Sequence, residues 1–255
     1  MGFKGSWVRI PSSRRKSTGT GAFFTGGNRM YEEEIRLQNR LAGKCTKHGI
    51  KMEQIHRVAG IDTAYWQNDD KEYGVCVICV FDHASRKQIE CVWASGEVTF
   101  PYVPGLLAFR ELPLVEAAFA KLKHRPDLLV FDGNGLLHPR HMGIASHASV
   151  VLGIPAIGIA KTFYHYGDGE YLLPDNTPGA YTDIVVNGSV DGRTLRTEKD
   201  VKPVFVSIGS GIDLDTAVKV AMYYNKKGSH VPLPTRQADL ETKRLRRLLK
   251  GDSAF

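Results

Sequence analysis

The stretch Asp127-Leu128-Leu129-Val130-Phe131-Asp132-Gly133-Asn134-Gly135 decides the fold. Four consecutive apolar residues predict a strand buried on both faces, as in the interior of a sheet covered by helices. Asp132 stands where that strand runs out, and a carboxylate there is costly unless a cation or hydrogen bonds satisfy it. Gly133 and Gly135 thin the turn behind it, so a ligand can approach closely. In isolation a capped turn with a solvated aspartate accounts for all of this. The pattern occurs once more upstream, however, in Arg57-Val58-Ala59-Gly60-Ile61-Asp62. If the two strands are neighbours, Asp62 and Asp132 meet at one sheet end. Two close carboxylates repel unless they share a proton or a cation. Hard oxygen ligands suit Mg²⁺, with Mn²⁺ as a substitute, and such a pair serves metal-assisted phosphodiester hydrolysis.

The surrounding sequence places these strands in an α/β fold with a central mixed sheet flanked by helices. Tyr31 to about His48 reads as a helix ended by Gly49. Strands follow at Arg57–Asp62, Tyr73–Asp82 and Gln88–Ser95, with Asn68-Asp69-Asp70 and Asp82-His83-Ala84-Ser85 as turns, so an antiparallel meander is predicted. Leu114, Val115, Ala118, Phe119 and Leu122 predict a helix that Pro113 opens, with 105–110 a separate short turn. Beyond the Leu128 strand come a helix over 141–152, a strand over 154–160, loops and hairpins over 165–200, a strand over 204–208, and helices over 214–224 and 234–250. That alternation is α/β in type.

At 255 residues and 42% hydrophobic the chain can bury a full core. No apolar run reaches the roughly eighteen residues that cross a bilayer, and no signal-type apolar region opens the chain, so an intracellular protein is expected. Cys76 and Cys79 have CxxC spacing, but residues three apart on a strand face opposite ways and cannot share a zinc. The net charge of +7 favours polyanionic partners. Two segments carry it. Residues 1–29 hold six Lys or Arg and no acid, and read as a flexible basic leader before a domain spanning 30–255. Residues 226–250 hold eight Lys or Arg against Asp239 and Glu241, a strip suited to phosphates.

Several motifs together resemble the endonuclease V family. They are Gly60-Ile61-Asp62-Thr63-Ala64-Tyr65, then Pro101-Tyr102-Val103-Pro104-Gly105-Leu106-Leu107-Ala108-Phe109-Arg110-Glu111, and Asp132-Gly133-Asn134-Gly135-Leu136-Leu137-His138-Pro139-Arg140. Gly158-Ile159-Ala160-Lys161 and Pro232-Leu233-Pro234-Thr235-Arg236-Gln237-Ala238-Asp239 follow in the family order. The resemblance covers about residues 31–245. It implies an RNase H-like fold and Mg²⁺-dependent cleavage of strands containing inosine or deoxyinosine. The cut falls at the second phosphodiester bond 3′ to the lesion and leaves 3′-hydroxyl and 5′-phosphate ends.

By the same resemblance Asp62 and Asp132 are the metal ligands, Glu111 completes the acidic site, and Asp239 sits at its edge. Lys161 faces the scissile phosphate or the attacking water. Tyr102, stiffened by Pro101 and Pro104, is the strand-separating wedge. Gly133 and Gly135 leave room for the flipped base, and Leu107 supplies an apolar wall. His138, six residues past Asp132, can contact phosphate or orient a ligand, but a histidine in a basic loop is more often a structural hydrogen-bonder. From spacing alone Glu111 and Asp239 would be charges near helix N-termini.

The Asp132-Gly133-Asn134-Gly135 form is closer to eukaryotic members, which favour inosine in single-stranded RNA. It therefore points to RNA as well as DNA substrates. Separately, a cytoplasmic setting is expected, with a nuclear or nucleolar one as the alternative. A monomer is expected. Gly209-Ser210-Gly211 departs from the family's usual Gly-His-Arg and puts one phosphate contact in question. A less selective nuclease leaves the wedge segment unexplained, and a non-catalytic nucleic-acid binder leaves four acidic residues unexplained.

Overall fold

The computed structural model describes residues 30–226 and 228–251, so the basic leader lies outside the described residues. Among the described residues eight strands form one mixed sheet in the order β3-β2-β1-β4-β5-β8-β7-β6. They are β1 Arg57–Asn68, β2 Lys71–Asp82, β3 Gln88–Glu97, β4 Leu128–Phe131, β5 Ala156–Ala160, β6 Tyr181–Val186, β7 Ser189–Leu195 and β8 Val204–Ser210. The first three make the expected antiparallel meander, and Asp69 takes the left-handed conformation in its first turn. β4 and β5 then run parallel to β1, while β8, β7 and β6 return antiparallel.

Among the described residues five α-helices cover the sheet: α1 Glu32–Ala42, α2 Leu107–Phe119, α3 Ile144–Leu152, α4 Leu214–Tyr223 and α5 Leu233–Lys250. The period-2 alternation of the strands sorts side chains into two cores. Val58, Ala64, Leu128, Val130, Ile157 and Ile159 pack with α4 and α5. Ala59, Ile61, Leu129 and Phe131 pack on the other face with α2 and α3. Cys79 lies in the first core and Cys76 in the second, which is why the CxxC spacing forms no metal site.

Of the boundaries that differ from expectation, three have a local reason. α1 stops at Ala42, and Thr46 instead hydrogen-bonds Gly211 and Ser210 at the end of β8. β1 runs on to Asn68, so Asp62 lies within the strand rather than at its end. Its neighbour β4 stops at Phe131, and the sheet end is therefore where that partner runs out. α2 continues through Pro113 from Leu107. An interior proline costs about 3 kcal/mol, but Leu106, Leu112, Leu114, Val115 and Ala118 are all buried on either side of it. Burial on that scale overrides the local preference. Glu111 consequently projects from the middle of a helix, not from its start.

Candidate active site

Parallel pairing sets Ile61 opposite Phe131, so the next residues, Asp62 and Asp132, stand side by side. The Asp132 N–H donates to the Ile61 carbonyl at 3.3 Å and continues the ladder by one step. Both side chains share the parity of Val58 and Val130 and so face α5. Lys161, one residue past β5, has the same parity as Ile159. Its Nζ donates to Asp132 Oδ2 at 2.5 Å. α5 supplies the rest of this face. Thr242 Oγ1 donates to Asp62 Oδ2 at 2.5 Å, and Asp239, three residues earlier, pairs with Lys243 at 2.7 Å.

α5 reaches this position because Gly60 has no side chain. A Cβ there would fall 2.0 Å from the Pro234 carbonyl carbon. Glu111 comes from α2 on the opposite face, where Tyr65 Oη donates to Glu111 Oε1 at 3.0 Å. Arg110 stacks over the Tyr65 ring at 4.1 Å and pairs with Glu72 at 2.5 Å, fixing that tyrosine in turn.

Crowding leaves an electrostatic mark. Burial, augmented by the charges of Asp132 and Asp239, pushes Asp62 up to about 6 despite the Thr242 hydrogen bond. Burial pushes Glu111 up to about 8, with Asp62 and Asp132 adding to the effect and the Tyr65 hydroxyl opposing it. Burial works against the Lys161 ammonium, yet the Asp132 carboxylate, with Asp239 and Asp62, holds its pKa above the ordinary lysine value. Four carboxylates against Lys161 and Lys243 form a site short of positive charge.

Among the described residues no three His, Cys, Asp or Glu side chains converge into a cation shell of their own. A hard cation that keeps several waters needs only one or two carboxylates, and Asp62 with Asp132 provides that donor set. The residues present therefore fit a divalent ion of the Mg²⁺ type.

On the far side of the Asp132 turn lies a cavity of about 140 Å³ lined by Tyr102, Pro104, Leu107, Gly133, His138, Ile144 and Tyr164, among others. Tyr102 stands at its rim, 70% exposed. A Cβ on Gly133 would sit 2.8 Å from Ile144 Cγ2 and would intrude on this space. Gly135 does something different. A Cβ there would meet the Ile208 carbonyl oxygen at 2.1 Å, and its N–H donates to Ser207 Oγ at 2.8 Å. It lets the turn pack on β8 and does not line the cavity. Pro101 is exposed and is also absent from the lining.

His138 is spent internally. Nε2 is 3.0 Å from the Gly105 carbonyl, and Nδ1 accepts from the Arg140 and Met142 N–H groups at 3.2 and 3.3 Å. That network fixes one neutral tautomer. Burial and the neighbouring Arg140 depress its pKa to about 4. The ring organises the cavity wall and has no nitrogen left for a phosphate.

Sequence reasoning missed Tyr65, Thr242 and Tyr164. The first stands inside the quoted Gly60–Tyr65 motif, and Thr242 follows Asp239 by three residues on a helix, a spacing that shares a face. Ser210, the departure from the family pattern, pairs with Ala156 at the start of β5, the end away from Lys161. Its hydroxyl accepts from Thr46 N, so the acidic cluster does not depend on it.

Comparison with known proteins agrees with this architecture. The sequence profile of the Endonuclease V family matches residues 39–240. Endonuclease V of Bacillus thuringiensis subsp. konkukian (strain 97-27) is 46% identical over 222 residues, covering 87% of this chain and 94% of that protein. The crystal structure of the Bacillus subtilis Endonuclease V gives a TM-score of 0.84 at 44% identity, covering 87% of this chain and 94% of the other. The fold is accordingly RNase H-like. Ciona intestinalis Endonuclease V, crystallised with a 24mer DNA containing an inosine followed by a ribo-adenosine, shares the fold at TM-score 0.75 and 23% identity, covering 87% of this chain and 99% of that one. The greater likeness is to the bacterial proteins. The expected nuclear or nucleolar setting has no support from these relatives.

Proposed function

We propose that this chain, which belongs to the endonuclease V family, is a monomeric, Mg²⁺-dependent endonuclease that cuts inosine-containing DNA or RNA at the second phosphodiester bond 3′ to the lesion. The observation that carries the reading is the Asp132–Gly133 turn. Its carboxylate belongs to the acidic cluster, and the next residue lines a base-sized cavity. One rigid turn thereby ties base recognition to the place of cleavage.

Asp62 and Asp132 would hold Mg²⁺, or Mn²⁺ in its place, and the bound ion supplies a low-pKa water and offsets charge on the phosphate. The protein's own residues do the remaining work. Lys161 lies against Asp132 and presents its ammonium to the non-bridging phosphate oxygens, where negative charge develops in the transition state. Glu111 and Asp239 complete the anionic wall that orients the attacking water. Water oxygen joins phosphorus as the bond to the 3′ oxygen breaks. The departing oxygen takes a proton to become the 3′-hydroxyl, and the phosphate stays on the 5′ end.

Tyr102, with Pro101 and Pro104 stiffening its loop, fills the gap the flipped base leaves in the stack. Leu107 and Ile144 flank the base. Inosine pairs weakly, so extruding it costs less than extruding a normal base. The basic face of α5, with Arg246 and Arg247 beyond Asp239, carries the flanking phosphates.

The test is product mapping on matched DNA and RNA strands with one inosine or one adenine at the same position. A single cut two bonds 3′ to inosine, with 5′-phosphate ends and an intact adenine strand, is expected. Cleavage at many positions on both strands would make the protein a less selective nuclease.

A further inference from the structure

Gln38 is the one buried residue of α1, and its side chain is fully buried. Its Nε2 donates to the carbonyls of Gly105 and Met142 at 3.0 and 3.1 Å, and its Oε1 accepts from Arg140 Nε at 2.6 Å. Arg140 Nη2 donates to the same Gly105 carbonyl at 2.7 Å. Nε and Nη2 form one edge of the guanidinium, so that edge is consumed by two neutral acceptors. Nη1, and the Nη2 N–H that faces it, have no partner among the described residues, and no carboxylate among those residues lies within ion-pair distance.

Arg140 does not line the cavity itself, but it donates to Gly105 and interacts electrostatically with Tyr164, both of which do. Burial disfavours its charge, and no internal anion compensates. An arginine fork of this shape matches a phosphate in bidentate fashion.

We infer that Arg140 is a backbone-phosphate contact for the bound strand beside the flipped base, and that Gln38 is the positioning residue that aims its free fork. The inference rests on the proposed nucleic-acid function. It adds a contact lying outside the acidic cluster, built by α1 and the loop after β4. Gly105 O, accepting from Gln38, Arg140 and His138, locks the fork in place. Because phosphate is common to all sequences, the contact supplies affinity and register but no base discrimination.

The experiment measures binding of a single-stranded oligonucleotide by fluorescence anisotropy across a salt series, in an Asp132→Ala background so that the strand stays whole. Arg140→Gln is expected to weaken binding roughly tenfold and to make the slope of log K against log salt shallower by roughly 0.7, one phosphate's share for a single strand. Inosine and adenine strands should lose equally. Gln38→Glu, which gives Arg140 an internal carboxylate, should flatten the slope likewise.

An unchanged slope in Arg140→Gln, with lost inosine preference, would overturn the inference and leave Arg140 a clamp for the loop. If the parent protein binds inosine and adenine strands equally, the proposed function fails instead, while the slope still reports the phosphate contact. A thermal melt matching the parent's separates either result from misfolding.

Discussion

Asp62 and Glu111 carry the clearest record of what the site is built for. Both are held near other carboxylates, and both are displaced upward, to about 6 and about 8. The folded chain therefore retains protons that the unfolded chain releases near pH 4. The stability these two carboxyls contribute is full below that unfolded value and declines as pH rises through 6 to 8. Thermal melts of the metal-free protein should show a falling midpoint over that range, and Glu111→Gln should flatten the decline. Added Mg²⁺ should restore more stability at pH 8 than at pH 5, since it binds the deprotonated form. A midpoint that rises with pH in the metal-free protein would contradict the crowded-carboxylate account. Little of this was legible in the sequence without the family resemblance. Asp132 was marked by its strand, but Glu111 read as an ordinary helix charge, and Tyr65 and Thr242, which hold the carboxylates, carry no signal of their own beyond spacing.

Elements bring these residues together through a few places where no side chain is tolerated. Gly60 is one, because α5 crosses β1 at that point. Gly60→Ala should push the helix off the sheet, costing about 1–3 kcal/mol and lowering the melting midpoint by several degrees. It should also carry Thr242 and Asp239 away from Asp62, so that activity falls further than the lost stability explains. Melting and turnover measured on the same preparation would show it, and full activity would mean that α5 is not needed for the centre.

The loop before α2 has the opposite character. Tyr102 is held out into solvent, and Tyr102→Ala should impair cleavage of a duplex lesion more than of a single strand. Equal loss on both substrates would argue against strand separation. The strands were legible because hydrophobic runs and turn residues agree with their tertiary roles. α2 was not, because Pro113 is a local signal that burial of Leu112, Leu114 and Val115 overrules.

The molecule as a whole places its chemistry where two strand families meet. The meander β3-β2-β1 and the parallel pair β4-β5 join at β1 and β4, and there the sheet presents Asp62, Asp132 and Lys161 on one face. α2 brings Glu111 from beneath, and the cavity under Tyr102 opens on the other side of the Asp132 turn. The sequence named the two strands that matter, because each ends its apolar run on an aspartate. It did not reveal that they are neighbours, since parallel pairing across 70 residues leaves no local trace.

The account stands or falls on that one turn. Single-turnover cleavage of an inosine-containing strand in Mg²⁺, comparing the wild-type protein with Asp132→Ala, tests it most directly. The account predicts cleavage two bonds 3′ to inosine by the wild type, and a loss of at least roughly a hundredfold in the variant with inosine binding retained. Equal cleavage by the two proteins would contradict it.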